Sequence, residues 1–99
     1  MTIYKEYKIG TASTGTWSDN TGRFHGDALL HVVVQAATGT TTFDFSLVND
    51  DSVTVKTWNR NTGELNEEVY IPLRGIYTMQ ISNASADEEF KILLMVDES

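Results

Sequence analysis

Between Pro72 and Val96 the side chains alternate with a two-residue period, twice in succession, and that is the periodicity of a strand rather than a helix. In the first run Tyr77, Met79 and Ile81 fall on one side, with Thr78, Gln80 and Ser82 on the other. In the second, Phe90, Ile92, Leu94 and Val96 share a side, while the opposite side carries Lys91, Leu93 and Met95. The polar stretch Asn83-Ala84-Ser85-Ala86-Asp87 separates the runs, so the segment is predicted to be a long antiparallel hairpin. A sheet with one wet face has no use for Leu93 and Met95 on its second side. A further strand layer, the N-terminal segment or a second subunit is therefore expected to cover them.

The same period runs through the rest of the chain. Residues 2–9 place Ile3, Lys5, Tyr7 and Ile9 opposite Tyr4, Glu6 and Lys8, with the charges of an edge strand. Residues 10–27 are rich in Gly, Ser, Thr, Asn and Asp. They are read as loop with a short strand around Thr14–Ser18, a turn at Asp19-Asn20-Thr21-Gly22, and Trp17 and Phe24 as plugs over the core. Ala28–Ala37 is nearly continuous in branched apolar residues and reads as a buried strand, with His31 on the side of Leu29 and Val33. Phe43, Phe45 and Leu47 alternate with Asp44 and Ser46. Val53–Trp58 and Glu64–Ile71 supply two more strands, separated by a loop at Asn59–Gly63, and Pro72 is expected to end the second. No helix of credible length and no internal repeat emerges.

Seven or eight short strands joined by polar turns predict an all-β, antiparallel, jelly-roll-like sandwich, formed as a single domain over residues 1–99. A chain of this size buries roughly two thirds of its unfolded surface, enough for a core without covalent staples. There is no cysteine, hence no disulfide or thiolate–metal framework. The start of the chain has no basic region followed by an apolar run, so no signal peptide is expected, and no apolar run is long enough to span a membrane as a helix. Seven Lys and Arg are scattered among fourteen Asp and Glu, for a formal charge of −7. Phosphate-backbone binding needs clustered cations, so neither nucleic acid nor an anionic membrane is an expected partner.

Candidate chemistry is sparse. The acidic turns Asp19-Asn20, Asn49-Asp50-Asp51 and Asp87-Glu88-Glu89 lack the spacing of a calcium loop, and His25 and His31 have no paired ligand, so no metal and no cofactor is expected. His31 reads as a hydrogen-bonded core residue. No nucleophile elbow or other catalytic motif is present, and the chain is expected not to be an enzyme. The aromatic residues Tyr4, Trp17, Trp58 and Tyr70 are the binding candidates, being able to stack on a sugar ring or anchor a protein contact. Trp58 and Tyr70, with Arg60 and Glu68, form the ligand site of a carbohydrate-binding alternative. Leu93 and Met95, with Leu29 and Val33, form the interface of the leading reading, a contact of around 800 Å² per partner. Asn83-Ala84-Ser85 matches a glycosylation sequon, but the Asn is expected simply to make the turn.

The run G-I-Y-T-M-Q-I-S-N-A-S followed by E-F-K-I-L-L-M-V resembles the final two strands of many jelly-roll and β-sandwich modules, carbohydrate-binding modules among them. In its strand-first start, Thr/Ser/Asn/Gly-rich turns, lack of cysteine and acidic balance, the whole chain resembles the small β-sandwich virion proteins of tailed bacteriophages. Head decoration proteins and other particle accessories belong to that group. The resemblance implies a non-enzymatic structural role in a virion assembled in the host cytoplasm. The protein would act as a homo-oligomer or dock on a larger shell protein.

Overall fold

The computed structural model describes residues 2–98, with side chains for residues 7–97. Eight strands follow one another: β1 (Thr2–Ala12), β2 (Trp17–Asn20), β3 (Phe24–Ala36), β4 (Thr42–Val48), β5 (Thr54–Thr62), β6 (Glu64–Gly75), β7 (Thr78–Ser82) and β8 (Glu88–Glu98). They form two four-stranded antiparallel sheets, ordered β1-β8-β3-β6 and β2-β7-β4-β5. Each strand thus lies beside its counterpart counted from the other end of the chain: β1 with β8, β2 with β7, β3 with β6, β4 with β5. That is a long antiparallel ribbon rolled into a sandwich, the arrangement of a jelly roll.

The expected hairpin does not form. β7 and β8 belong to different sheets, and the connection between them crosses the end of the sandwich. Positive φ at Asn83 (55°) and Asp87 (63°) bends it, and backbone bonds from Ala84 to Gly15 and from Asp87 to Ala12 tie it to the turn between β1 and β2. The alternation of both runs is real, but their apolar sides meet across the core instead of lying side by side. Phe43, Phe45, Leu47, Met79 and Ile81 of the second sheet face Leu29, Val32, Val34, Phe90, Ile92, Leu94 and Val96 of the first, all at most 1% exposed. Phe43 meets Phe90 edge-on at 4.9 Å between ring centres, a favourable aromatic geometry.

Four register slips set which side chains face in, and three of them decide the placements below. At Leu30 the register of β3 against both β6 and β8 slips, so Leu29, Val32 and Val34 point into the core while His31 and Val33 point out. His31 therefore leaves the side of Leu29. It is hydrogen-bonded, as expected, but to Asn66 on the outer face rather than in the core. A second slip falls at Gly26, whose φ of 100° suits glycine. At the third, Asn59 and Arg60 together oppose Asp44, and Arg60 takes a φ of 55°. The stretch expected as a loop is thus the bulged continuation of β5.

Two other boundaries differ. Pro72 lies inside β6, paired with Ala28, because β6 is an edge strand, where a residue without an N–H need not break the ladder. The short strand is Trp17–Asn20 instead of Thr14–Ser18, and Asp19 and Asn20 pair with Met79 and Thr78 rather than turning. Thr21 then closes the strand, its N–H bonding to the Tyr77 carbonyl (2.8 Å) and its hydroxyl accepting the Tyr77 N–H (3.0 Å).

Candidate functional site

The outward residues of β8 continue the alternation that buries its inward ones: Lys91, Leu93, Met95 and Asp97. Register places Tyr7 of β1 and Val33 of β3 on either side of Leu93, Ile9 and Gln35 on either side of Lys91, and His31 beside Met95. The outer face of the first sheet therefore carries one apolar strip, Tyr7, Ile9, Val33, Leu93 and Met95. Tyr7 and Ile9 are 54% and 58% exposed, and the other three are half-buried by their neighbours in the sheet. Toward β6 the strip gives way to polar pairs, His31 with Asn66 and Gln35 with Glu64, the latter at 2.8 Å.

Of the four interface residues expected from sequence, three (Leu93, Met95 and Val33) come together here. Leu29 does not: it is fully buried, because the bulge at Leu30 reverses the alternation between it and Val33. Tyr7 and Ile9 were legible as neighbours on one side of the first strand, but only the pairing of β1 with β8 brings them to Leu93.

The four ligand candidates are dispersed. Trp58 is 6% exposed and packs against Phe45 with ring centres 5.8 Å apart. Its pairing with Phe45 directs it inward, and the Lys56 ammonium lies 5.7 Å from its ring as a partial cover. Its indole N–H has no hydrogen-bond partner among the described residues. Arg60 sits at the bulge of β5 in the second sheet, whereas Glu68 and Tyr70 are on β6 in the first. Tyr70 is 74% exposed. The Tyr4 side chain lies outside the described residues. Trp17 is half-buried against the core, resting over Gly10.

At the Asp97 end of the outer face is a groove of about 380 Å³, whose lining includes Ala28, Tyr70, Pro72, Arg74 and Asp97. Asp97 lines this groove, and its buried Oδ1 has no hydrogen-bond partner among the described residues, an arrangement that costs free energy until a donor arrives. The sequence signal for Asp97 was its place at the end of the Lys91, Leu93, Met95 series.

The acidic turns are occupied with their own backbone. Asn49 Oδ1 accepts the N–H groups of Asp51 (3.0 Å) and Val53 (2.9 Å), Asp19 Oδ1 accepts that of Asn20 (2.8 Å), and Glu88 accepts that of Thr38. Among the described residues no three His, Cys, Asp or Glu gather as metal ligands. Asp44 holds the bulge: one oxygen accepts the Arg60 N–H (2.8 Å) and the other the Asn83 side-chain amide (2.7 Å). The Arg60 backbone bond, then the Asn83 bond, lower its pKa below the ordinary 3.8, against a smaller opposing effect of burial.

No known family's sequence model matches the chain. No curated protein sequence matches it either. Among solved structures it is similar to PliG of Aeromonas hydrophila, a periplasmic inhibitor of g-type lysozyme. The TM-score is 0.51 and the identity 11%, over 94% of this chain and 85% of that one, a likeness of fold alone. A structure of the infectious bursal disease virus Gt strain matches at 0.45 and 13% identity, over 98% of this chain and 33% of that one. A carbohydrate-binding module in complex with calcium and xylotriose matches at 0.42 and 15%, over the full length of both.

Proposed function

We propose that this chain is a non-enzymatic assembly protein of a bacteriophage particle, a decoration or other accessory component of the virion, acting through the outer face of its first sheet. The observation that carries the reading is the strip of Tyr7, Ile9, Val33, Leu93 and Met95 on a chain of formal charge −7. Contiguous apolar side chains on a sheet face mark a contact surface, and each 100 Å² removed from water is worth about 2.5 kcal/mol before the costs of association. The rest of the reading follows from the resemblance in composition and turn chemistry to small virion proteins.

Sedimentation of the pure chain tests it. The wild type is expected to associate, and Leu93→Glu or Met95→Glu to yield a folded monomer. Either variant remaining associated would refute this surface, and either one unfolding would return the residue to the intrachain core. Quantitative mass spectrometry of purified particles tests the location, with many copies per particle expected.

A further inference from the structure

The strip is bounded along β8 by opposite charges. Lys91 stands at one end and Asp97 at the other, with Leu93 and Met95 between them, and Lys91 and Asp97 each lie three residues from Leu94. Lys91 is exposed and makes no ion pair with any described residue. Asp97 lines the groove at the other end, and its buried Oδ1 has no partner among the described residues. We infer that the partner of this face is a second copy of the chain, stacked face to face about a two-fold axis that crosses β8 at Leu94. In that dimer Lys91 of each copy enters the Asp97 groove of the other. The inference rests on the outer face being the contact surface and names what occupies it.

Symmetry and charge select the arrangement. An isologous contact sets residue i against j and j against i. An axis in the contact plane and perpendicular to β8 runs the two copies of β8 antiparallel, which sets Leu93 against Met95 and Lys91 against Asp97, twice over. An axis along β8 would instead oppose Lys91 to Lys91 and Asp97 to Asp97, a like-charge juxtaposition that costs several kcal/mol. Neighbouring rows agree with the first choice. By register, Tyr7, Leu93, Val33 and Asn66 meet the row of Lys5, Met95, His31 and Glu68, while the row of Ile9, Lys91, Gln35 and Glu64 meets that of Ile3, Asp97, Ala28 and Pro72. No acidic side chain of these rows is set against another. Sheets packed face to face lie about 10 Å apart, within reach of an extended lysine from either side. Part of the cost of drying Asp97 is already incurred in the monomer, so the incoming ammonium meets an acceptor that water has left.

Charge reversal and cross-linking test the register. Lys91→Asp and Asp97→Lys are each expected to weaken dimerisation by about ten- to a hundredfold, and the double variant to restore it to within roughly threefold of wild type. In one chain the two residues are separated by roughly 20 Å of extended strand, so a carbodiimide amide between Lys91 and Asp97 can form only between copies. Mass spectrometry of a mixed ¹⁴N/¹⁵N sample should find it. Failure of the double variant to rescue, or absence of the cross-link, while Leu93→Glu still abolishes association, overturns the register and leaves the contact surface standing. Association unchanged in Leu93→Glu removes the surface itself. Asp97→Lys could unfold the chain, but the exposed Lys91→Asp and the wild-type cross-link decide the matter without it.

Discussion

The two sheets share one core and the same number of strands, yet their outer faces have little in common. On the second sheet the outward residues are Ser18 and Asn20 of β2, Thr78, Gln80 and Ser82 of β7, Asp44 and Ser46 of β4, and Thr57 of β5. They bond to one another across the strands, Ser46 to Thr57 at 3.0 Å and Thr78 to Asn20 at 3.0 Å, and Asn83 to Asp44 as described. Such a face is stable in water as it stands. On the first sheet the corresponding positions are Tyr7, Ile9, Val33, Leu93 and Met95. The core does not require them: the second sheet folds onto the same core with an outer face that is largely polar, its exposed large apolar side chains being Val55 on the edge strand β5 and Val53 just before it. On the proposed reading, the face of the first sheet is the one a partner would cover.

Four experiments test how far the two faces differ. The largest effect is expected where the faces depend on each other: Phe90→Ala, which empties the centre of the shared core, should cost about 3–5 kcal/mol. At about 4–8 °C per kcal/mol for a domain of this size, the Tm falls by more than about 12 °C, and near-UV circular dichroism should report one transition for the whole sandwich. Two separate transitions would mean that the sheets are not one cooperative unit.

Gly10→Ala comes next. A Cβ at Gly10 would sit 2.3 Å from the Trp17 indole, which bridges the first strand to the second sheet. The ring must move, at about 1–3 kcal/mol, readable as a blue or red shift of Trp17 fluorescence together with a lower Tm. An unchanged spectrum would show that the ring does not rest there.

The third compares the faces directly. Leu93→Thr gives the first sheet the chemistry of the second and should weaken association by on the order of tenfold or more, with little effect on Tm. Gln80→Thr on the opposite face should change neither. Equal effects from both would erase the distinction.

The smallest concerns the polar face. Asp44→Ala removes two hydrogen bonds at a partly exposed site and should cost about 1 kcal/mol, a few degrees of Tm at neutral pH. The carboxyl is held below its ordinary 3.8 in the folded chain, so its contribution is complete above that value and is lost as the pH falls through the lowered one. Wild type and variant should therefore converge in acid. A difference that persists well below pH 3.8 would assign the effect to packing.

Much of this was legible where local alternation survives into the fold. Phe43, Phe45 and Leu47, and Phe90 through Val96, lie on the sides their spacing assigns, and Leu93 and Met95 stand outward as read. The misreadings cluster where one inserted residue changes the phase. Leu30 separates Leu29 from Val33, and Asn59 and Arg60 extend a strand that reads as a loop. A bulge carries no reliable local signature, because it is set by the neighbouring strands that must pair on either side of it. Trp58, a binding candidate by sequence, is inside because it pairs with Phe45 from β5, an edge strand whose flanking polar residues reach solvent. Pro72 misled for a related reason: its effect depends on whether the strand is central or marginal, and that is a property of the sheet.

That the chain is an all-β sandwich, that its last strand is apolar on both sides, and that its cations are scattered could be read from the residues alone. Those follow from side-chain period and composition, which act over a few residues. It took the packed fold to put the closing strands in opposite sheets, to join Tyr7 and Ile9 to Leu93 while withdrawing Leu29, and to leave Asp97 Oδ1 buried with no partner among the described residues. These depend on pairings between residues up to ninety-six positions apart, whose free energy is set by the whole core and not by any segment of it.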